Sequence, residues 1–201
     1  MTSGARSFED IYFTARDGLK LHARCYPASG SARGRPVLCL PGLTRNGRDF
    51  HDLAVALSTH ASAPRTVYTF DYRGRGLSEV DPDWENYALP IEMFDVLDFI
   101  TLAGLEDTAI IGTSRGGLIT MLIAAAQPAA LGVAILNDIG PVIEHEGLAR
   151  ISGYVGRVPL PISWPDAARM TRELNRRHFP DVSDAMWEEV ARQWYNERNG
   201  K

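Results

Sequence analysis

Apolar and polar positions alternate with a period of two where the chain begins to show order. Ile11 to Ala15 and Leu19 to Cys25 both follow this alternation on either side of Asp17-Gly18, a dipeptide that tolerates positive φ, so an antiparallel hairpin is predicted. After a Gly/Ser/Arg-rich loop from Ser29 to Arg35 the pattern changes. Pro36 to Leu40 is short and wholly apolar, as a strand covered on both faces should be, and Thr66 to Phe70, Thr108 to Ile111 and Gly132 to Leu136 read as further buried strands. Helical periods separate them. Phe50, Leu53, Ala54 and Leu57 form one apolar stripe; Met93, Val96, Leu97 and Ile100 form another, on a helix that starts near Pro90 and ends by Gly104; Gly116 to Ala126 is a third helix. Strands and helices alternating over short connections predict a mostly parallel sheet covered on both faces, an α/β fold with right-handed crossovers.

From about Pro141 the strand pattern stops. Glu146 to Tyr154, Pro165 to Phe179 and Ser183 to Asn199 read as three helices, the last capped by Ser183. Residues 1–140 are therefore expected to form an α/β core and residues 141–201 a helical cap or lid. Trp164, Trp187 and Trp194 are candidates for an apolar substrate lining; packing of the helices against one another accounts for them equally well.

Composition narrows the function classes. The 201 residues are 45% hydrophobic and 23% charged, the profile of a globular domain with its own core. A net charge of −4 offers no broad basic surface, so nucleic acid is not an expected partner, and the arginine pairs 73/75 and 176/177 read as solvated faces. Cys25 and Cys39 lie in apolar stretches without a ligand-spaced histidine and are expected to be free thiols. The segment Met1 to Asp10 lacks an apolar signal region, which by default gives a cytoplasmic expectation. Gly116 to Leu136 is apolar enough to suggest a membrane, but Gln127-Pro128 divides it, and it reads as buried core.

The chemistry concentrates at Gly112-Thr113-Ser114-Arg115-Gly116-Gly117. This G-x-S-x-G follows an apolar strand and opens a helix, the context in which a serine is thrust out on a sharp turn and glycines leave room for its neighbours. The helix start would point amides at an oxyanion beside Ser114. The rival reading, a phosphate loop, lacks its motif. Pro41-Gly42-Leu43-Thr44, directly after the strand ending at Leu40, stands where an oxyanion loop belongs, so the Leu43 and Arg115 amides are the expected donors. Asp71 to Ser78 follows the next strand and is expected to build the turn beside the site, with no direct catalytic part for Asp71.

Taken in order, LPGLTRNGRDF, DYRGRGLSE and GTSRGG resemble the segments of the α/β-hydrolase superfamily, over nearly the whole chain. The resemblance implies an eight-strand sheet, a helical cap after the sixth strand, a Ser-His-acid triad with Ser114 as nucleophile, and no metal or organic cofactor. It leaves the substrate open among esters, lactones, amides, carbon–carbon substrates and acyl transfer; an ester with an apolar portion, bound as a small molecule, is the working expectation. The pattern departs from the family in one respect: the sequence ends before the strands after the cap, whose loops carry the histidine and, in many relatives, the acid. His22, His51, His60 and His178 lie on no loop that a strand end would aim at Ser114; His145, which follows the strand ending near Leu136, comes nearest to a base, against an ordinary surface or lid histidine. Asp138, after the strand Gly132 to Leu136, is the acid or a carboxylate that fixes its own loop. Three readings follow: a hydrolase whose histidine lies on a C-terminal piece or second chain, one piece of a nicked enzyme, and an inactive binding or regulatory module.

Overall fold

The computed structural model describes residues 8–157, 159–177 and 179–197, and the chain divides into two compact units, one ending at Gly140 and one starting at Pro141. In the first, six strands form one mixed sheet: β1 (Glu9–Thr14), β2 (Lys20–Tyr26), β3 (Val37–Leu40), β4 (Val67–Asp71), β5 (Thr108–Thr113) and β6 (Leu131–Asn137), in the spatial order β1-β2-β4-β3-β5-β6. The hairpin β1–β2 is antiparallel and joins β4 antiparallel, whereas β4, β3, β5 and β6 run parallel. Its turn has Gly18 at φ +92°, where a side chain would be strained.

Side chains alternate across the pleat, and so sort the core into two layers. Val37, Cys39 and Val67 point to the face covered by α1 (His51–Ser58), where they meet Phe50 and Ala54. Leu38, Leu40, Phe70 and Ile110 point the other way, onto Met93, Val96 and Phe99 of α2 (Leu89–Leu102) and Ile119 and Ile123 of α3 (Arg115–Ala126). α2 starts with its proline in the first turn, where the missing N–H is harmless, and stops before Gly104, at φ +60°.

Three readings of the pattern need correction. Leu53 is exposed, while Phe50 and Ala54, flanked by the partly buried Val55 and Leu57, make the contact with the sheet. Of the apolar stretch Gly116 to Leu136, α3 and Ala130 are core, with Leu131 packed against them, but the middle of β6 is not. β6 lies at the edge of the sheet among the described residues, leaving Val133 40% and Ile135 48% exposed. Arg73 is not on a solvated face: it is the largest fully buried side chain of the core unit.

The second unit contains α4 (His145–Tyr154), α5 (Trp164–Asn175) and α6 (Asp184–Trp194). Ser163 and Ser183 cap α5 and α6, accepting from the Asp166 and Met186 amides. Both helices stop short of the expected bounds; Tyr195 is already extended after α6, and Asn199 lies outside the described residues. α5 and α6 approach through small residues, Ala167, Ala168 and Ala191, with Tyr195 against them. Trp187 is buried, and Trp164 is half-buried with the Arg192 guanidinium 4.8 Å over its ring. Among the described residues no helix is long and apolar enough to cross a membrane.

Candidate active site

Three loops leave the carboxyl ends of the adjacent parallel strands β4, β3 and β5 and stand side by side, the end of an α/β sheet at which ligands bind. The loop after β5 is the sharpest. Ser114 takes φ +50° and ψ −109°, a conformation that costs a non-glycine residue about 1–3 kcal/mol and persists only where the surroundings impose it. They do so here. The Ser114 amide donates to the Asn137 carbonyl of β6 at 2.9 Å, while its own carbonyl accepts from the Gly117 and Leu118 amides at 2.9 and 3.1 Å.

The flanking glycines are required by contact. A methyl group on Gly112 would meet the Gly116 carbonyl at 2.5 Å and the Thr120 hydroxyl at 2.6 Å; one on Gly116 would run into the Leu40 carbonyl; one on Gly117 would strike the Ile139 side chain. The helix therefore sits directly on the ends of β3 and β5, with Ser114, half-buried, at its head. Helix geometry leaves the Arg115 and Gly116 amides without an intrahelical carbonyl. The loop after β3 closes on the same point: a methyl group on Gly42 would lie 3.8 Å from the Ser114 Cβ.

The side chain of Arg115 points away from this work. It donates to Glu92 at 2.6 Å and to the Tyr87 carbonyl at 2.8 Å, tying the elbow to α2. Burial pushes the Glu92 carboxyl above its ordinary range, although the Arg115 hydrogen bond and charge pull it down.

The loop after β4 is built around two buried groups. Asp71 accepts from the Gly47 amide at 2.7 Å and the Leu77 amide at 2.9 Å, and its other partner is His22 Nδ1 at 2.8 Å; His22 Nε2 in turn lies 3.0 Å from Asp10. Asp71 thus fastens the loops after β3 and β4 to the hairpin, and Gly76 packs so tightly on its carboxylate that a Cβ has no room. Arg73 donates to Asp95 at 2.7 and 2.8 Å, to Asp81 at 2.7 Å and to Asp17 at 2.9 Å. Burial opposes its charge, but the Asp95 hydrogen bonds and charge outweigh it and hold the guanidinium firmly protonated.

Asp138, immediately after β6, is exposed at φ +54° and hydrogen-bonds no described residue, so the loop-fixing alternative has no bond to rest on. The histidines of the core unit are engaged elsewhere: His22 as above, His51 with the Tyr26 hydroxyl at 3.0 Å, and His60 accepting from the Ala63 amide at 3.2 Å. His145 begins α4 in the second unit, and His178 lies outside the described residues. Cys39 is buried and Cys25 half-buried, both without a disulfide partner; burial pushes the Cys39 thiol up to about 12. Pattern reading missed Glu92 and the carboxylates around Arg73. The signal for two of them is present, since Glu92 and Asp95 share the α2 face that carries Val96 and Phe99, where unpaired acids do not belong.

The sheet order, the serine on its strand-to-helix bend and the loop against it define the class, and the match over residues 37–198 to the alpha/beta hydrolase family shows that the chain belongs to it. Among its relatives is the 3-hydroxybutyrate-oligomer hydrolase of Cupriavidus necator, 32% identical over 175 residues, or 87% of this chain and 56% of that protein. A lipase of Mycobacterium tuberculosis is 28% identical over 164 residues, or 82% and 58%. The crystal structure of an alpha/beta hydrolase from Novosphingobium aromaticivorans superposes with a TM-score of 0.84 at 43% identity, over 94% of this chain and 65% of that one. The chain thus spans less than two thirds of the length of these relatives.

Proposed function

We propose that this chain supplies the nucleophile and oxyanion site of a serine ester hydrolase whose base comes from polypeptide beyond these residues. The observation that carries the reading is the backbone of Ser114: strained, fixed by three hydrogen bonds, and faced by the loop at Gly42. In this reading Ser114 Oγ bonds to the ester carbonyl carbon as its proton passes to a histidine, and the Leu43 and Arg115 amides hold the oxygen that becomes negative. The carbon–oxygen bond to the alcohol breaks, the histidine returns the proton to the departing oxygen, and water repeats the sequence on the acyl-enzyme to release the acid and Ser114.

Asp138 is the proposed partner of that histidine, since its carboxylate is open and its residue directly follows the strand tied to the elbow. The exposed Val133 and Ile135 support a further element from the remaining polypeptide, or from a second chain, over β6. The names of the Cupriavidus and Mycobacterium relatives, an oligomer hydrolase and a lipase, favour an ester. Incubating the full-length protein with p-nitrophenyl esters and a serine-directed phosphonate tests the proposal: turnover and a label on Ser114 are expected, and neither turnover nor label would end it.

A further inference from the structure

We propose, resting on that reading, that Arg75 binds a carboxylate on the substrate, so that the preferred ester carries a free acid group a short chain away from the scissile carbonyl. Six arginines of the core unit hold a carboxylate at ion-pair distance: Arg16, Arg24, Arg35, Arg45, Arg73 and Arg115. Arg75 pairs with none among the described residues. Among the described residues its half-buried guanidinium hydrogen-bonds two neutral oxygens, donating through Nε to the Leu43 carbonyl and through Nη1 to the Gly74 carbonyl, both at a long 3.4 Å. The nearby carboxylate of Glu92 is taken by Arg115 at 2.6 Å. A partly buried cation with weak neutral partners gains most from an anion that brings charge-assisted, two-pronged bonds.

Its position gives that anion a place. β3 lies between β4 and β5, so the Gly42–Leu43 loop separates the Ser114 elbow on one side from the Arg75 loop on the other. Leu43, whose amide is assigned to the oxyanion, receives the Arg75 hydrogen bond on its carbonyl. Two strand spacings amount to about 10 Å, and the arginine side chain reaches back across part of that gap. A carbonyl on Ser114 and a carboxylate on Arg75 are then bridged by a chain of roughly three or four atoms at that spacing. Esters of dicarboxylic acids, or of hydroxy acids with a free end, have this form.

The test compares mono-p-nitrophenyl adipate with p-nitrophenyl hexanoate, two acyl chains matched in length, on the full-length protein. The wild type is expected to favour the anionic ester in kcat/KM, with the preference falling as salt rises; a preference for the neutral ester would overturn the proposal without any variant. R75Q is expected to reduce the adipate-to-hexanoate ratio about ten- to a hundredfold, the worth of one charge-assisted contact, mainly through KM. Equal loss on both esters would show Arg75 to be only a brace for Leu43 and would overturn it. The parent reading fails separately: it falls if hexanoate turnover persists in S114A.

Discussion

The elbow at Ser114 and strand β6 are neighbours, joined through the Ser114 amide and the Asn137 side chain that reaches Thr113 at 3.2 Å, yet they are built on opposite principles. The elbow is over-determined. Its serine holds a backbone conformation of high energy because glycines at 112, 116 and 117 let strand, helix and loop close around it, and Glu92 and Asp71 anchor the flanking loops. β6 is under-determined: one edge pairs with β5, and Val133 and Ile135 stand half in solvent. The bend at Ser114 is thus held from within its own region, whereas the exposed side of β6 depends on what covers it.

The comparison predicts very unequal responses. S114A in the full-length protein is expected to reduce ester turnover by at least about a thousandfold and to abolish phosphonate labelling, with the fold intact, as judged by circular dichroism. G116A tests the over-determination itself. Its new methyl meets the Leu40 carbonyl, a backbone atom that cannot swing aside, so a loss of about 3 kcal/mol is expected in urea unfolding. Retention of stability to within about 1 kcal/mol would mean that the helix has slack on β3.

What the sequence reveals follows the same division. Parallel strands and the elbow are legible because apolar runs and obligatory glycines are local signals. Arg73 was not, because its burial depends on Asp17, Asp81 and Asp95, carboxylates scattered over 79 positions that only the folded register gathers. Arg75, two residues away and of the same residue type, pairs with no carboxylate among the described residues, so residue type alone does not reveal which arginine is caged. The turn-building place of Asp71 was legible, but its bond to His22 was hidden for the same reason, since β2 pairs with β4 across a long separation. β6 read as interior because composition reports what a strand is made to be covered by, not what covers it.

Smaller effects sharpen the boundary between the two regions. D138N keeps the shape of a residue that already tolerates φ +54°, so stability should stay within about 0.5 kcal/mol. Turnover should nevertheless fall roughly a hundredfold if the carboxylate orients the histidine; full activity would remove Asp138 from the site. I135K probes the edge. In the chain of residues 1–201 the side chain is half exposed and the change should cost under about 0.5 kcal/mol, whereas in the full-length protein a covered edge raises the cost to about 2 kcal/mol or more. Equal costs would leave β6 an open edge in the whole enzyme.

The subtlest difference is one of pH, and it belongs to the elbow alone. Burial raises the Glu92 carboxyl above its unfolded value, so folding favours the protonated form. Its stabilising contribution is therefore complete below about pH 4.5, the unfolded value, and is lost as pH rises through the folded one. Asp98 runs the other way: the Arg16 hydrogen bond lowers its pKa, and the stability it contributes at neutral pH is lost as pH falls through that lowered value. E92Q cannot ionise, so its melting temperature relative to wild type should become more favourable as pH rises from about 4.5 through the raised folded value of Glu92, whatever constant penalty the lost Arg115 pair imposes. D98N should instead close its gap to wild type on acidification. Parallel melting curves for E92Q and wild type across that range would mean that Arg115 fully offsets burial, and that the anchor of the elbow costs the fold nothing to keep charged.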